Sequence, residues 1–472
     1  MAQPPRPTAP TAPTAPAAPL PPAGAVGRHR AEVQGEVLVP GDPGYEAELD
    51  GFNRIGRHRP ALVVGAVTAG DVAAAVRLGA ELGLPVGVQA TGHGIAGAAA
   101  EDALLVSTRR MNAVAVDPVA RIARVEAGAR WHQVIAAAAY HGLAPLNGSS
   151  PLVGVVGYTL GGGLGPLGRL HGWAADHVTR VHLVTADARH LTVTPDTHGD
   201  LFWALRGGKG NFGVVTALEF GLVPVTRLYG GGLYFPGAQA RAVLDAWRRW
   251  TADVPETLTS SVALLRLPGL RQVPGHPAGA LAVHVRIAFT GPREDGEALL
   301  RPLRAAGTLL ADTVDEMPYR DVAEIHQDPT EPLAYHERNI VLREFDAKAL
   351  DALLAAAGPD SGCGDPMVEL RHLGGALSRP PAVPSAVGRD GTFVLSTLRA
   401  PGSPDAVLRR LAPWSTGRRY LNFLAGPGTD GIADCFDEET HARLLQVKRR
   451  YDPRNLFRLG HALLPGALPH PS

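Results

Sequence analysis

From about residue 37 the apolar positions switch repeatedly between a helical and a strand period. Gly70-Asp71-Val72-Ala73-Ala74-Ala75-Val76-Arg77-Leu78 reads as a capped helix that ends near Gly83. A short strand over 84–90 follows and runs into Thr91-Gly92-His93-Gly94. Residues 103–107, 113–116 and 122–125 read as strands with short turns, and 131–140 as a helix with Gly142 just past its end. Strands are expected over 178–185 and 190–193, a short helix over 201–205, and two more strands over 213–217 and 219–223. After Pro224 the texture changes. Long strands over 281–289, 367–373 and 392–398 alternate with helices over 239–251, 297–312 and 348–357. That mixture predicts an α+β domain whose antiparallel sheet is covered by helices. A last helix over 440–451 is stopped by Pro453.

Composition alters this picture at the start of the chain. Residues 1–26 hold 9 prolines and one charge, Arg6. Such a stretch buries no core, so residues 1–36 are expected to form a disordered, partly polyproline leader. The 472 residues include 56 Gly, about 12% against a usual value of about 7%. The balance of 45 Lys+Arg against 45 Asp+Glu excludes the electrostatic footprint of a nucleic-acid binder. Only two cysteines occur, Cys363 and Cys435, too few and too far apart for a disulfide scaffold or a paired-cysteine metal knuckle. No apolar run reaches the roughly 18 residues of a membrane span. No basic segment followed by an apolar one marks a secretory signal, so the expected location is cytoplasmic.

Several motifs fail on inspection. Gly92-x-Gly94-x-x-Gly97 spells the dinucleotide fingerprint, but that motif needs a helix starting inside it, and here the helix comes before. Gly207-Gly208-Lys209-Gly210 lacks the spacing of a phosphate-binding P-loop. No paired-histidine zinc motif occurs, and His177 and His182 are five apart in an expected strand, poor geometry for a metal. What remains is three Gly-rich segments, at 91–97, 154–165 and 207–213. Glycine admits a ligand close to the backbone and offers N–H groups as anion nests. Three such loops suit a large ligand that carries phosphates and a flat ring, a description that a flavin dinucleotide meets. His93 lies in the first loop, where an imidazole can capture a flavin ring methyl.

The chain resembles the FAD-linked oxidases of the vanillyl-alcohol oxidase superfamily, in their berberine-bridge-enzyme-like branch. The resemblance is carried by Arg59-Pro60-Ala61-Leu62-Val63-Val64, by Gly92-His93-Gly94, and by the run from Gly148-Ser149-Ser150 through Gly161-Gly162-Gly163-Leu164-Gly165. Asp200-Leu201-Phe202-Trp203, Gly210-Asn211-Phe212-Gly213, Tyr420-Leu421-Asn422-Phe423 and Tyr451-Asp452-Pro453-Arg454-Asn455-Leu456-Phe457 continue it in the family's order. It implies a two-lobed FAD-binding domain of the PCMH type over 37–225 and an α+β substrate domain over 226–418. Residues 419–472 would then return to the FAD-binding domain.

The resemblance also assigns roles. His93 matches the histidine that bonds covalently to the flavin 8α carbon, with Gly92 and Gly94 beside it. Gly154, Gly157, Gly162 and Gly163 fall close to the cofactor, and Val153 falls at the oxygen gate in its permissive form. Ser150 stands where the branch often has a second attaching cysteine, which implies attachment through His93 only. Tyr158 stands where a histidine is frequent, and a phenol there can still hydrogen-bond the cofactor. Lys209 stands where glycine is usual. Tyr420 matches the catalytic tyrosine, and Asn422 is expected to orient ligand or flavin. Glu369 and Arg371 share one face of their strand and are substrate-side candidates, Glu369 as a further catalytic carboxylate.

The implied function is an FAD-dependent oxidase. It would take hydride from a secondary-metabolite or sugar alcohol and reduce O2 to H2O2, with a small-molecule substrate and O2 as its partners. A dehydrogenase with another electron acceptor, or a non-catalytic flavin-binding protein, would share the same scaffold.

Overall fold

The computed structural model describes residues 23–96, 99–400, 402–429 and 431–464. Three sheets organise them. The first has four strands in the order Glu36–Leu38, Leu62–Gly65, Leu104–Ser107 and Val86–Gln89, parallel except at the first pair. Its strands are nearly continuous apolar runs because helix Ala69–Leu82 covers one face, burying Val72, Val76 and Leu78 against Leu62, Val64 and Leu104. That helix starts where Thr68 accepts a hydrogen bond from the Asp71 N–H, and it stops at Gly83, whose φ is 68°.

The second sheet is antiparallel, in the order Val114–Asp117, Ile122–Glu126, Val214–Gly221, Val178–Val184 and His190–Val193. Helix Trp131–Ala139 and the short helix Val155–Leu160 join its core through Trp131, Val134 and Val155.

The third sheet follows the path Ala311–Asp312, Arg227–Pro236, Ala282–Phe289, Leu258–Leu265, Met367–His372, Phe393–Arg399 and His336–Leu342, all antiparallel. Helices Ala240–Trp250, Arg293–Arg304 and Ala347–Ala357 cover one face. Val283, Val285, Ile287, Val262, Leu264, Val368, Leu370 and Leu395 point at them and pack on Leu244, Trp247, Leu300 and Leu353. The two-residue period then sends a polar set to the opposite face. Register aligns Asn339, Ser396, Glu369, Ala263, His284 and Tyr234 in one row, and Val341, Val394, Arg371, Ser261 and Arg286 in the next.

The last segment packs back on the first two sheets. Helix Glu438–Tyr451 buries Leu444 and Val447 in the core of the second sheet, and Leu456 and Phe457 join that of the first. Lys448, fully buried, donates to Asp452 (2.7 Å), to the Asn211 carbonyl (2.8 Å) and to the Phe457 carbonyl (2.9 Å).

Four expectations need correction. Residues 1–22 lie outside the described residues, but Ala23–Glu32 is a helix and Glu36–Leu38 a strand, so the leader does not extend to 36 as disorder. Val26 and Val33 are buried against the first sheet, and that apolar anchoring outweighs the polyproline composition just before it. The two strands expected over 213–223 are one, Val214–Gly221, because pairing with neighbours on both sides runs through Leu218. The helix expected over 297–312 ends at Arg304, and Ala311–Asp312 is an edge strand. Gly307 intervenes there, with the Gln239 side chain lying where its Cβ would be. Finally, the strands Arg227–Pro236, Leu258–Leu265 and His336–Leu342 were not foreseen. Their alternation becomes legible only against paired neighbours.

Candidate functional site

His93 follows the first sheet's strand Val86–Gln89 and stacks on Phe52, with ring centroids 4.1 Å apart and planes within 6°. Its Nδ1 shares a hydrogen with Thr91 Oγ1 at 2.8 Å, and its backbone carbonyl accepts from the Tyr335 hydroxyl at 3.2 Å. Nε2 is buried with no partner among the described residues. Burial, and then the charge of Arg130, push the ring's pKa down to about 3, so the imidazole is neutral and nucleophilic at neutral pH. Gly92 is required by geometry: its φ is 68°, and a Cβ would come within 2.4 Å of the Gly51 Cα. Gly94 is exposed with open space around it.

The second Gly-rich segment carries helix Val155–Leu160, with Gly154 at its N-cap. Val153 is half-buried before it, and its carbonyl accepts from the Trp131 N–H. Ser150 is buried, and its hydroxyl accepts weakly from the Leu152 N–H at 3.4 Å. Gly157 is exposed on the helix, and nothing lies within 4 Å of where its Cβ would stand. Gly162 and Gly163 have φ of 105° and 80°, and a Cβ on Gly163 would meet the Tyr158 ring at 2.6 Å. The Tyr158 hydroxyl is buried without a partner among the described residues. Burial raises its pKa well above that of an ordinary phenol.

Tyr420 closes on this segment from the C-terminal region. Its Oη accepts from the Leu164 N–H at 3.0 Å and from Asn422 Nδ2 at 3.0 Å. The Trp173 and Phe423 rings flank it, with centroids at 5.3 and 4.9 Å. Asn339 clamps its backbone, accepting from the Tyr420 N–H at 2.6 Å and donating to the Tyr420 carbonyl at 2.8 Å. Burial drives the Tyr420 pKa upward, while the donors at Asn422, Leu164 and Gly163 oppose the rise. Asn422 also donates to the Tyr158 carbonyl at 2.8 Å and accepts from Lys209 Nζ at 2.6 Å. A Cβ on Gly161 would fall 2.0 Å from Asn422 Oδ1, so only glycine leaves room for this amide.

The polar face of the third sheet supplies the remaining wall. Glu369, 1% exposed, accepts from Arg286 at 2.5 Å, from Arg371 Nε at 2.8 Å and from Ser261 at 2.9 Å. Burial alone would raise its pKa, but Arg371 and Arg286 overcome that and hold it at about 2. Where the sequence expects a catalytic carboxylate, the structure places a Glu369 paired with both Arg286 and Arg371, held below the usual carboxylate range by them and orienting Arg371. Arg371 in turn lies over the Phe423 ring at 4.8 Å and reaches Ser149 Oγ at 3.4 Å. A cavity between residues 164–166 and this face is lined by Ser261, Arg286, His326 and Arg371.

Glu337, which the sequence reading missed, shares the face of Asn339. It is half-buried, and its carboxyl makes no hydrogen bond or ion pair among the described residues. Burial pushes its pKa up to about 8; Arg371 opposes this, and Glu369 and Asp328 reinforce it. No local motif marks Glu337. The signal lies in its register, two residues before Asn339 on a strand whose alternate residues pack on the helices.

Hydrogen bonds thus join Tyr420, Asn422, Lys209 and the Tyr158 carbonyl, with Glu369 set behind Arg371, while His93 lies on the first Gly-rich segment, whose Thr91 packs at Gly154 of the second. Orphaned polar atoms on His93 and Tyr158, and the open backbone at Gly157, fit a large flat-ringed cofactor such as FAD. Among the described residues no group of three His, Cys, Asp or Glu side chains could hold a metal ion, and no helix is long and apolar enough to cross a membrane.

Comparison with known proteins gives the family. Residues 60–194 match the FAD binding domain family, and residues 420–463 match the berberine and berberine-like family. The chain is 30% identical over 467 residues to (R)-6-hydroxynicotine oxidase of Paenarthrobacter nicotinovorans, covering 92% of this chain and 97% of that protein. The crystal structure of 6-hydroxy-D-nicotine oxidase from Arthrobacter nicotinovorans superposes with a TM-score of 0.78 at 24% identity, over 92% of this chain and 98% of that one. Carbohydrate oxidase from Microdochium nivale, solved with a substrate analogue, superposes with a TM-score of 0.77 at 21% identity, over 94% and 100%. The chain thus belongs to the FAD-linked oxidases of the vanillyl-alcohol oxidase type, in the berberine-bridge-enzyme-like branch.

Proposed function

We propose that this FAD-dependent oxidase takes hydride from a carbon bearing a hydroxyl or amine on a small secondary-metabolite or sugar substrate. O2 is then reduced to H2O2, and His93 alone holds the cofactor covalently. The observation that carries this reading is the setting of Tyr420. Its oxygen accepts two N–H donors, from Leu164 in the Gly-rich segment and from Asn422. Bound FAD supplies a two-electron acceptor for hydride.

The chain's own residues do the rest. Tyr420 first gives its own proton to solvent, against the rise that burial imposes; as a phenolate stabilised by its two N–H donors, its Oη then receives the substrate hydroxyl proton. Glu337, protonated at neutral pH, donates a hydrogen bond to a substrate oxygen. Glu369 fixes Arg371, and Arg371 against Phe423 shapes the substrate wall. His93, neutral and with one unpartnered nitrogen, is the attaching nucleophile. Ser150 adds no second attachment, because a hydroxyl is a far weaker nucleophile than a thiolate.

The test is direct. Acid precipitation of the purified wild type should leave a yellow pellet, and His93→Ala should release the colour to the supernatant. Flavin that stays covalently bound in His93→Ala would show that another residue holds it. Alcohols, sugars and amines that bleach the flavin should release peroxide in air. Reoxidation by artificial acceptors but not by O2 would make the protein a dehydrogenase.

A further inference from the structure

Lys209 is the departure that neither the fold nor the reaction above has used. It stands at φ 59°, in the left-handed region that disfavours a side chain. A lysine there is held against a backbone preference for glycine. Its ammonium donates to the Gly157 carbonyl at 3.0 Å and to Asn422 Oδ1 at 2.6 Å, and no carboxylate among the described residues pairs with it.

An amide side chain can present either its oxygen or its nitrogen to a neighbour. An ammonium can only donate, so Asn422 must turn its oxygen to Lys209. Its two N–H bonds then point at the Tyr158 carbonyl and at Tyr420 Oη. We propose that Lys209 is the positioning residue of Tyr420, holding Asn422 in the one orientation that aims an N–H at the phenol oxygen and adding its own charge one amide away.

The surroundings leave the charge free for that purpose. Burial raises the Cys435 thiol to about 12 and lowers His461 to about 3, so both neighbours of Lys209 are neutral near pH 7. Lys209 itself is drawn down by burial to about 8 and stays mostly charged at neutral pH. Around Tyr420 the titratable and charged groups are Tyr158, raised by burial, and Arg371, which favours the phenolate. The step served balances on the Tyr420 phenolate, whose own proton has gone to solvent: the substrate O–H breaks and its proton joins Tyr420 Oη, the C–H on the same carbon breaks as C=O forms, and FAD, when bound, would take up that hydride.

This inference rests on Tyr420 as proton acceptor, and the experiment separates the two. Anaerobic flavin reduction is followed against pH in wild type, Lys209→Met, Lys209→Gly, Lys209→Arg and Tyr420→Phe. Loss of the ammonium should move the low-pH limb upward by about one unit or more, a rate about tenfold lower at pH 7, and Lys209→Arg should restore it. The alkaline absorbance titration of tyrosinate, wild type minus Tyr420→Phe, should rise in step in Lys209→Met. Lys209→Gly should be at least as resistant to urea as wild type, because glycine is at ease at this φ. A uniform rate loss with an unmoved limb, or profiles that coincide with wild type, would overturn the role of Lys209 while Tyr420→Phe remained slow. A Tyr420→Phe enzyme as fast as wild type would overturn the reading beneath it.

Discussion

Replacing Glu369 by glutamine removes one charge and almost no volume, so its effect isolates the electrostatics of the substrate wall. The carboxylate is 1% exposed and accepts from Arg286, Arg371 and Ser261. Its pKa falls from 4.5 to about 2, a preference for the ionised form of about 3 kcal/mol. Breaking a buried pair by deleting one partner costs about 3–5 kcal/mol, because the remaining charge stays buried, and Glu369→Gln strands two guanidinium groups. A loss of about 3 kcal/mol at pH 7 is therefore expected, read from urea unfolding followed by tryptophan fluorescence. The sign of the pH dependence is also set. A depressed folded-state pKa stabilises fully above the unfolded value of about 4.5, and that stability drains as pH falls toward about 2. The gap between wild type and Glu369→Gln should narrow steadily below pH 4.5. A loss under about 1 kcal/mol at pH 7, or a gap indifferent to pH, would refute the paired-carboxylate account.

Tyr420→Phe should slow flavin reduction by about 10²–10⁴ with little change in substrate binding, measured by anaerobic stopped flow; a change within a few-fold removes its role as proton acceptor. In wild type KM should rise as pH passes about 8, where the Glu337 carboxyl loses the hydrogen it donates. Glu337→Gln keeps a donor of the same shape and should flatten that inflection; an inflection that survives in the variant assigns it to another group.

Local chemistry wrote part of this protein directly into its sequence. His93 between two glycines, the glycines of 154–165 and the Tyr-x-Asn-Phe run at 420–423 are short-range patterns, since backbone approach and turn geometry need those residues wherever they occur. The strand of Glu369 and Arg371 was likewise legible, because alternation puts both on one face. The partner set of that face was not. Ser261, Arg286 and Glu337 reach it through antiparallel register between strands far apart in the chain, and a slip of one residue would turn each to the helix side. From sequence, Glu369 shares a strand face with Arg371 and an ion pair between them is legible; the second guanidinium, Arg286, and the Ser261 hydroxyl come only through register. Lys209 and Asn422 are 213 residues apart and meet because the C-terminal segment folds back beside helix Val155–Leu160. The sequence by itself determined the residue types, the tight turns and a histidine set between two glycines. Tertiary structure alone decided which charges are paired, which remain free and which proton each holds, because those properties depend on burial and on neighbours that the chain order does not contain.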